Sequence, residues 1–202
     1  MTKPIGTGTL LAADMRGKAK ARWTLAAIDH MTVSNRVGAE ILARHDAGAA
    51  TDVTGFGLLG HLVEMTKASG VDATLWLDRT PLLEGARETV AAGVFSSLQP
   101  QNVRLRRAIR ELERVSKFSI YPLLFDPQTA GGLLASVPAA QADACIAELR
   151  AAGYAQAAVI GFIARSADAL EPITLVEHAE AAQHAARDEK PRHKERTHEP
   201  VL

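Results

Sequence analysis

The sequence predicts an α/β domain, a three-layer α/β/α sandwich over residues 1–177, followed by a charged tail over 178–202. Three observations lead there. Segments rich in β-favouring residues alternate with segments whose apolar residues recur at helical spacing, the pattern of strands covered by helices. The helix expected after Asp52 carries Phe56, Leu59, Val63 and Thr66 on one face and Leu58, Leu62 and Met65 on others, so it is expected to be buried on more than one side. Hydrophobic residues make up 47 % of the 202 residues, enough for the core of one good-sized domain.

In chain order, residues 3–13 read as a linker running into a strand, loosened by Pro4, Gly6 and Gly8. A chain that opens on a linker is expected to be the second part of something longer. Gly6-Thr7-Gly8 has neither the Gly-Lys-Ser/Thr ending of a Walker loop nor the third glycine of a dinucleotide fingerprint, so it is read as a turn. Trp23, Ala27, His30 and Met31 set a helix over 16–31, with Arg16, Lys18, Lys20 and Arg22 on its wet face. A second helix, capped by Ser34 or Asn35 and carrying Val37, Ile41 and Leu42, ends near Gly48. The helix after Asp52 stops at Gly70.

Residues 71–78 read as a strand ended by Thr80-Pro81, and 82–92 as a short helix closed by Gly93. After a polar loop over 96–102, residues 103–117 are expected to form a helix with an exposed arginine-rich face. Strands are expected over 119–125 and 133–137, separated by Asp126-Pro127-Gln128-Thr129-Ala130-Gly131-Gly132. The helix over 139–152 places Cys145 among core positions, so the thiol is read as structural. The last strands fall over 157–164 and 172–177. Beyond His178 few apolar residues remain, and a frayed helix passing into disorder is expected.

Composition excludes several classes of function. Formal charge is zero, from 23 basic and 23 acidic residues, so no global field draws the chain to nucleic acid or an anionic membrane. One cysteine allows no internal disulfide, and no apolar run of about 18 residues or signal-like start is present; these point to the cytoplasm.

The chemistry concentrates in Ala50-Thr51-Asp52-Val53-Thr54-Gly55-Phe56-Gly57-Leu58-Leu59-Gly60-His61-Leu62. An acid, Asp52, stands where a strand ends and can hold a divalent cation; Thr54, Gly55 and Gly57 lie where the first free N–H groups of the next helix favour a phosphate. A plainer reading stays open beside it, in which Asp52 or Thr54 caps the helix and the glycines permit a tight turn.

Four ordered stretches, Thr2-Lys3-Pro4-Ile5-Gly6-Thr7-Gly8, Met15-Arg16-Gly17-Lys18-Ala19, the one from Thr51 to Leu62, and Asp126-Pro127-Gln128-Thr129-Ala130-Gly131-Gly132-Leu133-Leu134, together resemble the C-terminal half of the selenide, water dikinases, or selenophosphate synthetases. The resemblance implies membership of the aminoimidazole ribonucleotide synthetase-like superfamily, whose members pair a β-rich N-terminal half with an α/β C-terminal half and dimerise. It implies ATP and selenide as substrates, Mg²⁺ as cofactor, and selenophosphate, AMP and orthophosphate as products. Asp52 matches the one magnesium-holding aspartate of the C-terminal half. The catalytic cysteine or selenocysteine and most ATP and metal ligands belong to the other half, so no catalytic residue is expected in this chain, and alone it should be inactive. Asp126 matches a motif with no assigned role, and Ala130 stands where the family usually has serine. Two alternatives remain: another enzyme of the superfamily, such as a thiamine-phosphate kinase or a purine-pathway synthetase, or a non-catalytic dimerisation module.

Overall fold

A computed structural model describes residues 1–166 and 170–178. Helices and strands are mixed as the alternating sequence pattern leads one to expect, with the strands divided between two small sheets. In the first, β1 (Ala49–Asp52) runs antiparallel to β3 (Leu133–Ser136), with Asp52 opposite Leu133. In the second, β2 (Val71–Trp76) lies between β4 (Gly161–Arg165), antiparallel to it, and β5 (Ile173–Val176), parallel to it. The expected tail over 178–202 lies, from residue 179 on, outside the described residues. Among the described residues no helix is long and apolar enough to cross a membrane.

The helices are α1 (Thr7–Met15), α2 (Ala21–Thr32), α3 (Arg36–Arg44), α4 (Gly57–Ser69), α5 (Ala86–Ala91), α6 (Gln99–Asn102), α7 (Leu112–Val115) and α8 (Ala142–Ala151). The α4 helix is the central one. Residues 57 to 63 are all buried, and the helix packs on β1, on β2 and on the 3₁₀ segment Tyr121–Phe125. Such all-round burial follows from its sequence, which is apolar on every side of its first two turns. It ends at Gly70, whose φ of 61° is the left-handed turn a glycine makes at no steric cost.

Around it lies the main core, in which Leu58, Leu59, Leu10, Leu123, Leu124 and Phe125 have no exposed surface. Burying a side chain the size of Phe125 contributes roughly 1.5–3 kcal/mol. A smaller core joins Ile41, Leu42, Cys145, Leu149, Tyr154 and Ala157 where α3 and α8 meet. Cys145 is buried there, and desolvation pushes its thiol pKa up, as its structural reading requires.

Three elements depart from expectation. Residues 7–15 are helix rather than strand, because the N–H groups of Gly6 and Thr7 are received by Gln128 Oε1 at 3.0 and 3.2 Å. The long helix expected over 103–117 is a 3₁₀ segment, Val103–Ala108, and then α7, divided at Glu111 with φ 51°. The strand expected over 119–125 is the 3₁₀ segment Tyr121–Phe125 with Pro122 in its first turn. A short apolar run buried on all sides fits strand and helix equally well by periodicity.

Candidate functional site

Two glycine-containing loops meet at the end of the β1–β3 ribbon. Past the ladder, Val53 N–H donates to Gly132 O at 2.8 Å, and Gln128 N–H donates to Thr54 O at 2.9 Å. A Cβ on Gly131 would stand 2.1 Å from Val53 O, so only glycine lets the backbones approach this closely. The stretch around Asp52 and the stretch around Asp126, separate in sequence, are therefore one structural unit.

Asp52 is the last residue of β1 and is exposed. Its carboxylate forms none of the ion pairs of the described residues, and α4 has no side-chain cap. The helix-capping reading of Asp52 and Thr54 thus has no hydrogen bond behind it. A hard oxygen donor facing solvent at a strand end fits one position in a magnesium shell. Among the described residues no three His, Cys, Asp or Glu side chains gather closely enough to hold a metal, so Asp52 is not part of such a cluster.

The turn from Thr54 to Gly57 is held from inside. Thr54 N–H donates to His61 Nε2 at 3.0 Å, and Thr54 Oγ1 lies 3.1 Å from the same nitrogen. Receiving a backbone N–H makes Nε2 the acceptor, which puts the ring proton on Nδ1, 3.2 Å from Glu64 Oε2. Thr54 O receives the N–H of Gly57 at 3.0 Å as well as that of Gln128. Gly55 O receives Asn102 Nδ2 at 2.8 Å, and the same amide donates to Phe125 O at 3.0 Å.

The glycines differ in why they are there. Gly57 has φ 72°, and a Cβ on it would meet the backbone of Phe125 at 2.8 Å, so the fold itself demands glycine. Gly55 is exposed, its φ is ordinary, and a Cβ would meet nothing within 4 Å. Among the described residues nothing fills the space beside it. Phe56, at 53 % exposure, flanks that space, its ring 5.6 Å from His61.

The Asp126 loop faces the opposite way, toward the first residues of the chain. Gln128 Oε1 receives the N–H of Gly6 and of Thr7 and the Thr7 hydroxyl, while its Nε2 donates to Asp126 O at 2.7 Å and Oδ2 at 3.0 Å. Thr129 N–H donates to Thr7 Oγ1 at 2.9 Å. Asp126 is 2 % exposed, and the N–H groups of Gly8 and Thr9 face its carboxyl, yet Oδ1 has no hydrogen bond of good geometry. Burial outweighs these donors and raises its pKa to about 7. Lys3, also buried, donates to Val33 O at 2.6 Å and Ala130 O at 3.1 Å, and desolvation lowers its pKa. Ala130 is exposed with φ 47°, and what it contributes to this network is its carbonyl.

Asp52, Thr54, Gly55 and Gly57 are thus brought together, as their adjacency in sequence requires. His61, Asn102 and Gln128 are the site residues that sequence reasoning missed. His61 left a signal, since four residues after Gly57 a helical side chain points back at the turn. Asn102 left none, because it reaches Gly55 from 47 residues away.

The family model of the AIR synthase related protein, C-terminal domain, matches residues 4–169. Among curated relatives, the selenide, water dikinase of Myxococcus xanthus (strain DK1622) is 41 % identical over 164 residues, 80 % of this chain and 46 % of the relative. That of Clostridioides difficile (strain 630) is 33 % identical over 163 residues, 81 % of this chain and 47 % of the relative. The chain spans about half the length of the curated relatives it matches. Among solved structures, the hydrogenase maturation protein HypE in complex with ATP superposes with a TM-score of 0.62 at 18 % identity, covering 86 % of this chain and 45 % of that one. Thiamine monophosphate kinase from Aquifex aeolicus gives 0.51 at 14 % identity over 88 % of this chain and 49 % of that one. At these identities the structural likeness is one of fold.

Proposed function

The chain belongs to the family of AIR synthase-related C-terminal domains, and on that premise we propose that it is the C-terminal half of a selenide, water dikinase, making selenophosphate, AMP and orthophosphate from selenide, ATP and water. The curated relatives that carry that name support the substrate. The observation that carries the assignment to this site is the exposed Asp52 beside the open space at Gly55, at the N-terminal end of α4.

Each residue then has a task. Asp52 would supply one oxygen to Mg²⁺, and the ion would neutralise the charge that builds on the phosphates during transfer. Gly55, lacking a side chain where none of the described residues intrudes, lets a phosphate approach the backbone. Among the described residues no backbone hydrogen bond outside helices and strands uses the N–H of Gly55 or Phe56, so both are free to donate to it. The first turn of α4 contains no acid, which leaves the positive end of the helix unopposed. Thr54 and Gly57 contribute through the backbone of the turn. The nucleophile and the remaining ligands come from an N-terminal half, and the complete enzyme is a homodimer.

The test is a titration of the ¹⁵N-labelled chain with Mg-ATP. The amides of Gly55 and Phe56 are expected to shift, and the gain in affinity that Mg²⁺ gives over ATP alone is expected to fall about tenfold in Asp52→Asn with little change in melting, since a surface substitution costs at most about 0.5 kcal/mol. Identical Mg²⁺ dependence in the two proteins would remove Asp52 from the metal site.

A further inference from the structure

We propose that Asn102 and His61 are positioning residues of this nucleotide site: they act through the backbone of the Thr54–Gly57 turn, aiming its N–H groups outward at the phosphate. The inference rests on the reading just given and adds the groups that give the turn its shape.

A trans peptide plane carries its C=O and its N–H on opposite sides. Whatever pulls a carbonyl inward therefore turns the next residue's N–H outward. Thr54 O is drawn inward by the N–H of Gly57 and Gln128, and this presents the N–H of Gly55. Gly55 O is drawn inward by Asn102 Nδ2 at 2.8 Å, and this presents the N–H of Phe56. The second bond of that amide, to Phe125 O at 3.0 Å, ties Asn102 to the 3₁₀ segment beneath α4. The start of the turn is set by His61, whose Nε2 receives the Thr54 N–H, with the Thr54 hydroxyl 3.1 Å from the same nitrogen. Asn102 and His61 are each only 6 % exposed. Two buried polar side chains, from different elements, thus spend hydrogen bonds on the backbone of one exposed turn. A turn that served only to connect β1 to α4 would not need its peptide planes fixed at two successive residues from outside itself.

The experiment uses the full chain with Mg-ATP as probe, following the amides of residues 54 to 57. In Asn102→Ala the Phe56 amide is expected to lose its response while that of Gly55 is kept, and affinity is expected to fall about tenfold, the order set by one hydrogen bond. His61→Leu is expected to speed hydrogen exchange at Thr54 about tenfold and weaken Mg-ATP similarly. His61→Gln, whose Oε1 can stand near the place of Nε2, is expected to bind within about threefold of wild type. If the alanine or leucine variant fails to fold, Asn102→Asp, which puts an acceptor against two carbonyls, is expected to weaken binding as His61→Gln preserves it. Wild-type affinity in Asn102→Ala and His61→Leu overturns the inference alone. A wild-type chain whose turn amides ignore Mg-ATP overturns the nucleotide reading and the inference with it.

Discussion

Asp126 shows how one carboxyl can be essential to shape and unfavourable in charge. It lies against the first N–H groups of α1, where a negative charge is welcome, but burial dominates and its pKa rises from 3.8 to about 7. The sign follows from linkage. The folded state holds the proton more tightly than the unfolded one, so the stabilisation is fully present below about pH 4 and is lost as pH rises through about 7. The ceiling on that loss is on the order of 4 kcal/mol, from about three pKa units. Asp126→Asn removes the titration. Urea unfolding at pH 5, 6, 7 and 8 is expected to show wild type losing stability relative to Asp126→Asn between pH 5 and 7 and running parallel above. Parallel profiles throughout would mean that the carboxyl is ionised in the fold at every pH tested.

At the scale of the element, the two glycines of the turn separate folding from binding. Gly57→Ala must accept a left-handed φ and a Cβ 2.8 Å from the Phe125 backbone, and is expected to lose about 2 kcal/mol or more. Gly55→Ala meets nothing within 4 Å at an ordinary φ, so its stability is expected to stay within about 0.5 kcal/mol while Mg-ATP affinity falls. Thermal melting and the amide titration, made on both variants, check the pair; equal melting losses would sink the distinction. The same scale shows which elements the sequence made legible. The α4 helix and β2 were readable because their signals are local: apolar faces, β-favouring residues and a closing glycine at Gly70. The α1 helix was not, since its first N–H groups are received by Gln128, 122 and 121 residues away. An all-apolar Leu10-Leu11-Ala12-Ala13 run gives no period to decide between strand and helix. The break at Glu111 was hidden for another reason, because a charged residue with positive φ leaves no composition cue.

Across the whole molecule, the residues of the candidate site are legible as a local motif and the supports of their turn are not. Asp52 and the glycine turn lie within six residues, 52 to 57, so a local reading singles them out as candidates. The network that joins them to Asn102, Gln128 and Lys3 exists only after folding. One carboxylate is too few to hold Mg²⁺ against water, and among the described residues no group of three or more His, Cys, Asp or Glu could hold a metal ion. The chain also covers about half of each curated relative. On the proposed reading, turnover requires an N-terminal half. The purified chain is expected to release no AMP in response to selenide. Joined to the N-terminal half of the Myxococcus xanthus relative, it is expected to gain that activity, and Asp52→Asn in the joined protein is expected to reduce it about 100-fold or more, because the proposed metal ligand would govern charge neutralisation in the transition state. Melting should change by no more than about 0.5 kcal/mol, since Asp52 does not cap α4 and an exposed carboxylate is being replaced by an amide of the same shape. Selenide-dependent AMP release from the chain alone would show that the site is complete without a partner half. Full activity in the joined Asp52→Asn protein would leave the open turn at Gly55 as the whole of this domain's contribution to binding ATP.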